Sequence, residues 1–272
     1  MLELEHRFRV VDVHARLDPD RDDISARGHA VPPENLEREM HQAGIVRSVV
    51  FAGARPGESY LRANNAVARL SVDRPFVAFA RINGPRTPPH RTRDRVGNLL
   101  SARRRDWHTS PDDIEQYAYD QRFHGFKLDP PRDGFPKRPV LDRLEAVSLP
   151  LIVHVGRGFP PKAAADLLLD LELPVIFAHF GGYPLNEDWM ETTIDLLDDH
   201  ESLYVDTSMV WDRQPIERAL REYPDRVLFG TATPRVHPNV AVMNILTLDV
   251  PEDAMRRVFS KNPSRVVEAL GT

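Results

Sequence analysis

The chain contains no cysteine. Disulfides and thiolate metal sites are therefore excluded, and any metal must be held by imidazole and carboxylate. Lysine is scarce: Lys127, Lys137, Lys162 and Lys261 are the only ones, and arginine makes up the rest of the 36 basic residues. There is no basic excess either. A net charge of −5 and a pI near 6.1 argue against a nucleic-acid partner, which requires a basic face. No apolar run approaches the roughly 20 residues that cross a bilayer. The opening Met1-Leu-Glu-Leu-Glu-His-Arg lacks a basic-then-apolar leader layout. The expected location is the cytoplasm, with a small-molecule substrate and no membrane or nucleic-acid partner.

What is present is alternation. Short β-branched runs are predicted as strands at Val10–His14, Ile45–Ala52, Pro75–Ile82, His124–Asp129, Leu149–Val155, Pro174–Phe180, Ser202–Thr207 and Arg226–Gly230. Helical patterns lie between them, and three more end the chain at Val240–Leu246, Pro251–Phe259 and Pro263–Leu270. Pro32-Pro33-Glu34-Asn35 opens a helix that Gly44 closes. Ser110-Pro-Asp-Asp is an N-cap signature. Alternating short strands and helices imply a parallel sheet covered by helices. Eight repeats in 272 residues is the count and length of a closed (β/α)8 TIM barrel in one domain, 1–272. A doubly wound open sheet usually places a Gly-rich phosphate turn after its first strand, and that position holds His14-Ala15-Arg16. The Arg- and Pro-rich stretch Asn83–Thr109 reads as a solvated loop with a short helix around Asp94–Arg104, or as an anionic-ligand arm.

Several strands end in polar residues. The first ends in Asp12 and His14, the fourth in Lys127 and Asp129, the fifth in His154, the sixth in His179 and the seventh in Asp206. In a barrel the active site lies at these C-terminal ends. Period-two alternation places Asp12, His14 and Arg16 on one face, Gly125, Lys127 and Asp129 on one, and Tyr204, Asp206 and Ser208 on one. One such histidine alone is more often a hydrogen-bonded core or loop residue. Three at equivalent strand ends point to a site.

The wording of these segments resembles the amidohydrolase superfamily, in the amidohydrolase-related branch that includes aminocarboxymuconate-semialdehyde decarboxylase and related decarboxylases, hydratases and lactonases. The phrases that carry the resemblance are Val11-Asp-Val-His14, Gly125-Phe-Lys-Leu128, Pro150-Leu-Ile-Val-His154, Ala178-His179-Phe-Gly-Gly182, Tyr204-Val-Asp-Thr-Ser208, Leu228-Phe-Gly-Thr231 and Ser260-Lys-Asn-Pro-Ser-Arg265. The resemblance implies a hydrolase or carboxy-lyase that uses a divalent metal. His14, His154 and His179 match metal-site histidines, with Zn²⁺ suited to three imidazoles. Two positions depart. The second histidine of the first-strand motif is Arg16, and the metal-binding, general-base aspartate after strand eight is Ala232, within Phe229-Gly-Thr-Ala-Thr-Pro234. Alanine cannot coordinate, and a guanidinium places a permanent positive charge where the ion would sit.

The residues leave three readings. In the first, the chain is an enzyme acting on a small carboxylated substrate, with metal weakly held or absent. Arg16 grips the carboxylate, His237 reaches in to bind substrate, and His179, Asp206 and Lys127 do the chemistry. Some members of this family hydrolyse lactones without a metal. In the second, it is a non-catalytic descendant acting as a binding or assembly protein, a possible pseudoenzyme. In the third, Asp206 or His237 replaces the lost metal ligand. An Arg16 spent on Asp129 or Asp206 favours the second reading; an Arg16 facing an open cavity favours the first. A homodimer is a further expectation by analogy with the family.

Overall fold

In the computed structural model, which describes residues 6–18, 32–87 and 105–271, the chain forms one sheet of eight strands in sequential order, every registered pair parallel. The strands are β1 (Val10–Arg16), β2 (Ile45–Phe51), β3 (Phe76–Ile82), β4 (Phe123–Leu128), β5 (Leu151–Gly156), β6 (Val175–Tyr183), β7 (Leu203–Asp206) and β8 (Val227–Leu228). The helices between them are α1 (Pro33–Gln42), α2 (Leu61–Leu70), α3 (Pro111–Tyr119), a single turn α4 (Pro130–Asp133), α5 (Arg138–Val147), α6 (Pro161–Leu168), α7 (Glu187–Asp199) and α8 (Arg213–Glu222). Beyond β8 come α9 (Pro238–Leu246) and α10 (Glu252–Arg256), then a π-helical turn Arg257–Lys261, α11 (Asn262–Val266) and a last turn Glu268–Leu270. This is the expected barrel.

The sequence signals act as their chemistry predicts. Ser110 and Asp113 form a capping box at the start of α3. Asn186 caps α7 by accepting from the Trp189 N–H. Differences are few. β8 is only two residues long because the chain after it leaves the ladder to bond sideways to β1. The expected Pro251–Phe259 helix divides at Arg257 into α10 and the π turn, and α4 is too short to leave a periodic signal. The expected helix Asp94–Arg104 lies outside the described residues.

The barrel closes along a seam between its first and last strands. The Val13 N–H donates to the Phe229 carbonyl (2.9 Å), the Ala232 N–H to the His14 carbonyl (2.8 Å) and the Arg16 N–H to the Thr233 carbonyl (2.8 Å). Asp12, fully buried, fastens the seam from below. It accepts from the His14 and Thr231 N–H groups (2.8 and 2.9 Å) and from the Ser48 and Thr231 hydroxyls (3.0 and 2.7 Å). Inside the barrel, Val11, Val13, Val49, Phe79, Ile152 and Ile176 pack with the tail residues Val266, Val267 and Leu270. The tail therefore plugs the end opposite the strand C-termini, with Arg9 and Arg47 donating to the Leu270 and Ala269 carbonyls. Only the other end is left for chemistry.

The alternation expected along β1 does not hold. Val11 and Val13 belong to the inner cluster, whereas Val10 and Ala15 pack against the helices. A register shift between Asp12 and Ala15 breaks the pleat, so His14 faces the mouth while Asp12 bonds within the wall. Bulges of this kind re-aim side chains at barrel rims.

Candidate active site

The floor of the mouth is organised by Asp206 at the end of β7. Its Oδ2 accepts from His14 Nδ1 (2.8 Å). Its Oδ1 accepts the backbone N–H groups of His179 and Ser208 (3.0 Å each) and the Ser208 hydroxyl. Ser208 in turn takes His179 Nδ1, at 2.7 Å to its hydroxyl and 2.9 Å to its carbonyl. Both imidazoles are thus held through Nδ1, leaving Nε2 as their remaining ring nitrogen. His154 enters from β5; its ring lies 5.0 Å from that of His179 and 4.6 Å from that of Tyr183.

Backbone strain gathers at this end. His179, Phe180, Met209 and Ala232 all have φ between 50° and 60°, a region that non-glycine residues adopt at a cost and that recurs at functional sites. On β6, Phe177 packs outward and Ala178 inward. The left-handed turn at His179 swings its ring to the mouth.

A cavity of ≈ 70 Å³ opens above this floor. Among the described residues its walls carry Arg16, Arg81, Lys127, Arg132 and Arg235 against a single carboxylate, Asp129. Arg81 is committed: its Nε donates to Asp133 (2.8 Å) and its Nη2 to Asp129 (3.2 Å). Arg16 pairs through Nε with Asp18 (3.1 Å), not with Asp129 or Asp206. Lys127, buried at 3% exposure, makes no hydrogen bond through Nζ, and Asp129 Oδ1 is a buried acceptor with no donor. Two opposite orphans therefore face the same space.

Burial sets the protonation states. Asp206 is held well below the usual carboxylate range; His14, its hydrogen bond, His179 and the Ser208 hydroxyl outweigh the burial that opposes them. His154 and His179 are pushed well below the usual imidazole range by burial and by neighbouring cations and histidines. His14 is lowered by burial and Lys127 against the pull of Asp206. Burial likewise brings Lys127 down to about 8. All three histidines are neutral in the folded protein at pH 7, yet charge in the unfolded chain near pH 6.5. The unfolded state then binds more protons, so stability falls as pH falls below about 6.5, by about 1.4 kcal/mol per pH unit for each histidine still neutral. Denaturant melts in a chelator between pH 7.5 and 5.5 should show this loss. Replacing His179 with Gln should lower the slope by about one histidine's share, and an unchanged slope would place the titration elsewhere.

Of the residues singled out in the sequence, His14, Arg16, Lys127, His154 and His179 line the cavity, and Asp206 lies directly beneath. His237 does not reach it. It is exposed, and its Nδ1 caps α9 by accepting from the Asn239 N–H (3.2 Å). The helix start that places Pro238 at its first turn claims this side chain. The donors that lie within 4.8 Å of one another are His14, His179 and Asp206, not the three histidines together. Arg81 was missed, although a charge inside the apolar run Phe76–Ile82 was a visible signal. Arg132 and Arg235 arrive on turns and left none.

A family model of amidohydrolases matches residues 11–268. The chain belongs to the amidohydrolase family. Solved structures support the barrel. An uncharacterized TIM-barrel protein from Bordetella bronchiseptica superposes with a TM-score of 0.70 at 20% identity, over 97% of this chain and 100% of that one. A 2,6-dihydroxybenzoate decarboxylase from Rhizobium gives 0.67 at 15% identity, over 96% and 99%. A 5-carboxyvanillate decarboxylase from Novosphingobium aromaticivorans, with bound manganese, gives 0.67 at 14% identity, over 98% and 100%. No curated protein matches the chain in sequence.

As this amidohydrolase-family chain stands, His14, His179 and Asp206 are the cluster among the described residues that could hold a divalent ion. His14 and His179 offer one nitrogen each; Asp206 Oδ1 already has three donors, whereas Oδ2 accepts only from His14 and keeps one lone-pair direction. The wall positions that would add ligands hold Arg16 and Ala232. The walls above carry charge of the ion's own sign, whereas the floor holds the Asp206 carboxylate.

Proposed function

We propose that this amidohydrolase-family chain is an enzyme, a hydrolase or carboxy-lyase, acting on a small carboxylated substrate, with a divalent ion weakly held or lost. The observation that carries this is the orphaned Lys127 ammonium among the cations of the mouth. An unpaired buried charge costs several kcal/mol, and a substrate carboxylate supplies the partner. Arg16 adds a planar fork suited to bidentate carboxylate binding. Asp129 Oδ1 beside Lys127 asks for a donor, so the same substrate carries a hydroxyl or N–H near its carboxylate.

The Asp206–His14 pair supplies the proton acceptor. Asp206 holds the Nδ1 proton of His14 and fixes the tautomer, so Nε2 keeps its lone pair toward the mouth. His154 and His179 stay neutral and serve as further acceptors or donors to the reacting group. Arg16 lines the open cavity, which supports this reading, while its pairing with Asp18 is the capped arrangement that a non-catalytic descendant would also show.

The test combines binding and turnover. Hydroxybenzoates and short hydroxy acids should raise the melting temperature of the wild type, and Arg16→Met should weaken their binding about 10–100-fold. In a screen for CO2 release and lactone opening, His14→Gln should lower turnover about 10²–10⁴-fold, the usual contribution of a positioned base. No carboxylate binding and no turnover by the wild type would leave the non-catalytic reading in place.

A further inference from the structure

A second cavity adjoins the mouth, and its most unusual resident is Arg55. This side chain sits on the loop after β2, is only 8% exposed, and has no hydrogen-bond partner at Nε or Nη2. Its backbone is fixed, because the Arg55 N–H donates to the Tyr60 hydroxyl (2.8 Å), which donates to Asp133 (2.6 Å). The guanidinium lines a space of ≈ 520 Å³ together with Arg86, Arg105, Trp107 and Arg132. Among the described residues the only carboxylate lining it is Asp133, which Arg81 and Tyr60 already occupy. Buried polar groups are almost always hydrogen-bonded, and a buried guanidinium with two free donor sites needs an acceptor.

The two cavities share a wall, since Arg132 lines both. Their sizes divide the work. The ≈ 70 Å³ of the mouth admits a head group and little else, whereas sites for whole small ligands run from about 300 to 1,000 Å³. The body of a substrate whose carboxylate sits at Arg16 and Lys127 has the larger cavity as its adjoining space. There it meets the Trp107 ring and Arg55.

We propose that the cavity around Arg55 is a second oxyanion subsite, which takes the distal carboxylate or phosphate of a two-headed substrate whose first carboxylate lies in the barrel mouth. The proposal rests on the mouth reading above and adds the second charged end.

Calorimetric titration separates the two claims. The probes are hexanoate and octanoate, the dicarboxylates adipate and suberate, and ω-phosphono acids of the same lengths. At one or more lengths the two-headed acid should bind the wild type about tenfold or more tighter than the one-headed acid. Arg55→Met should erase that gain and leave the one-headed acid unchanged, and Arg55→Lys should restore part of it. A larger gain for carboxylate or for phosphonate ends assigns the distal group. If no two-headed acid outbinds its partner, or the gain survives Arg55→Met, the subsite is refuted. The mouth reading is scored separately, by whether Arg16→Met weakens the one-headed acids. Among the described residues Arg55 forms no side-chain ion pair; folding of the Met variant is checked by its melting temperature, and the Lys variant covers a failure.

Discussion

The double variant Arg16→His with Ala232→Asp should bind about one divalent ion per chain after Zn²⁺ or Mn²⁺ loading and dialysis, where the wild type keeps on the order of a tenth or less. The two substitutions remove a guanidinium and add an imidazole and a carboxylate on the wall above His14 and His179. Ala232 sits at φ 60°, a conformation that Asp tolerates better than Ala. Its N–H bond to the His14 carbonyl (2.8 Å) is a backbone bond that the change keeps. Each single variant retains one obstacle: Arg16→His alone lacks the carboxylate, and Ala232→Asp alone pairs its new charge with Arg16. Elemental analysis of all four proteins, purified without a His tag, decides the matter. A well-folded double variant that stays empty would show that the obstacle lies elsewhere, in the commitment of Asp206 or the charge of Lys127.

Lys127→Met should stabilise the protein while abolishing carboxylate binding. The change replaces a buried ammonium that has no hydrogen bond with an apolar chain of similar length, above the Phe51 ring (5.1 Å from Nζ to its centroid). Replacing poorly compensated buried charge with apolar side chains is stabilising by about 1–4 kcal/mol, which in a chain of this size raises the melting temperature by several degrees. The pH dependence has a definite sign. Burial lowers the folded pKa to about 8, so the penalty on the charged form is fully present below pH 8. It is relieved as pH rises toward the unfolded value near 10.5. The advantage of the variant should therefore be largest at neutral pH and shrink above pH 8. Opposed effects on stability and binding mark a residue kept for its ligand. A lower melting temperature at pH 7 would mean that Asp129 already satisfies the ammonium.

The sequence was legible wherever the pleat is regular. On β5 and β7 strict alternation brings His154 and Asp206 to the mouth, and on β4 the alternation over Phe126–Leu128, beyond a register shift, brings Lys127 there, so their chemistry could be read directly. His14 and His179 reach the same place differently, through a register shift on β1 and a left-handed residue on β6. Neither leaves a mark in composition, so the expected face of Asp12 was wrong although the position of His14 was right. His237 misled because a histidine before a proline can serve a helix cap as readily as a substrate. Arg55 and Arg132 sit on turns whose paths depend on packing between distant elements, and no local pattern announces them.

The seam gives the chain a timetable. Asp12 meets Thr231 across 219 positions, and the Ala232 N–H that closes on His14 lies just beyond the last strand to be made. Until that strand arrives, β1 has an open edge, the form of surface that recruits other chains. Closure of so distant a contact is slow. The backbone of His14, whose ring lies in the floor, is thus fastened on both sides only when the barrel is finished.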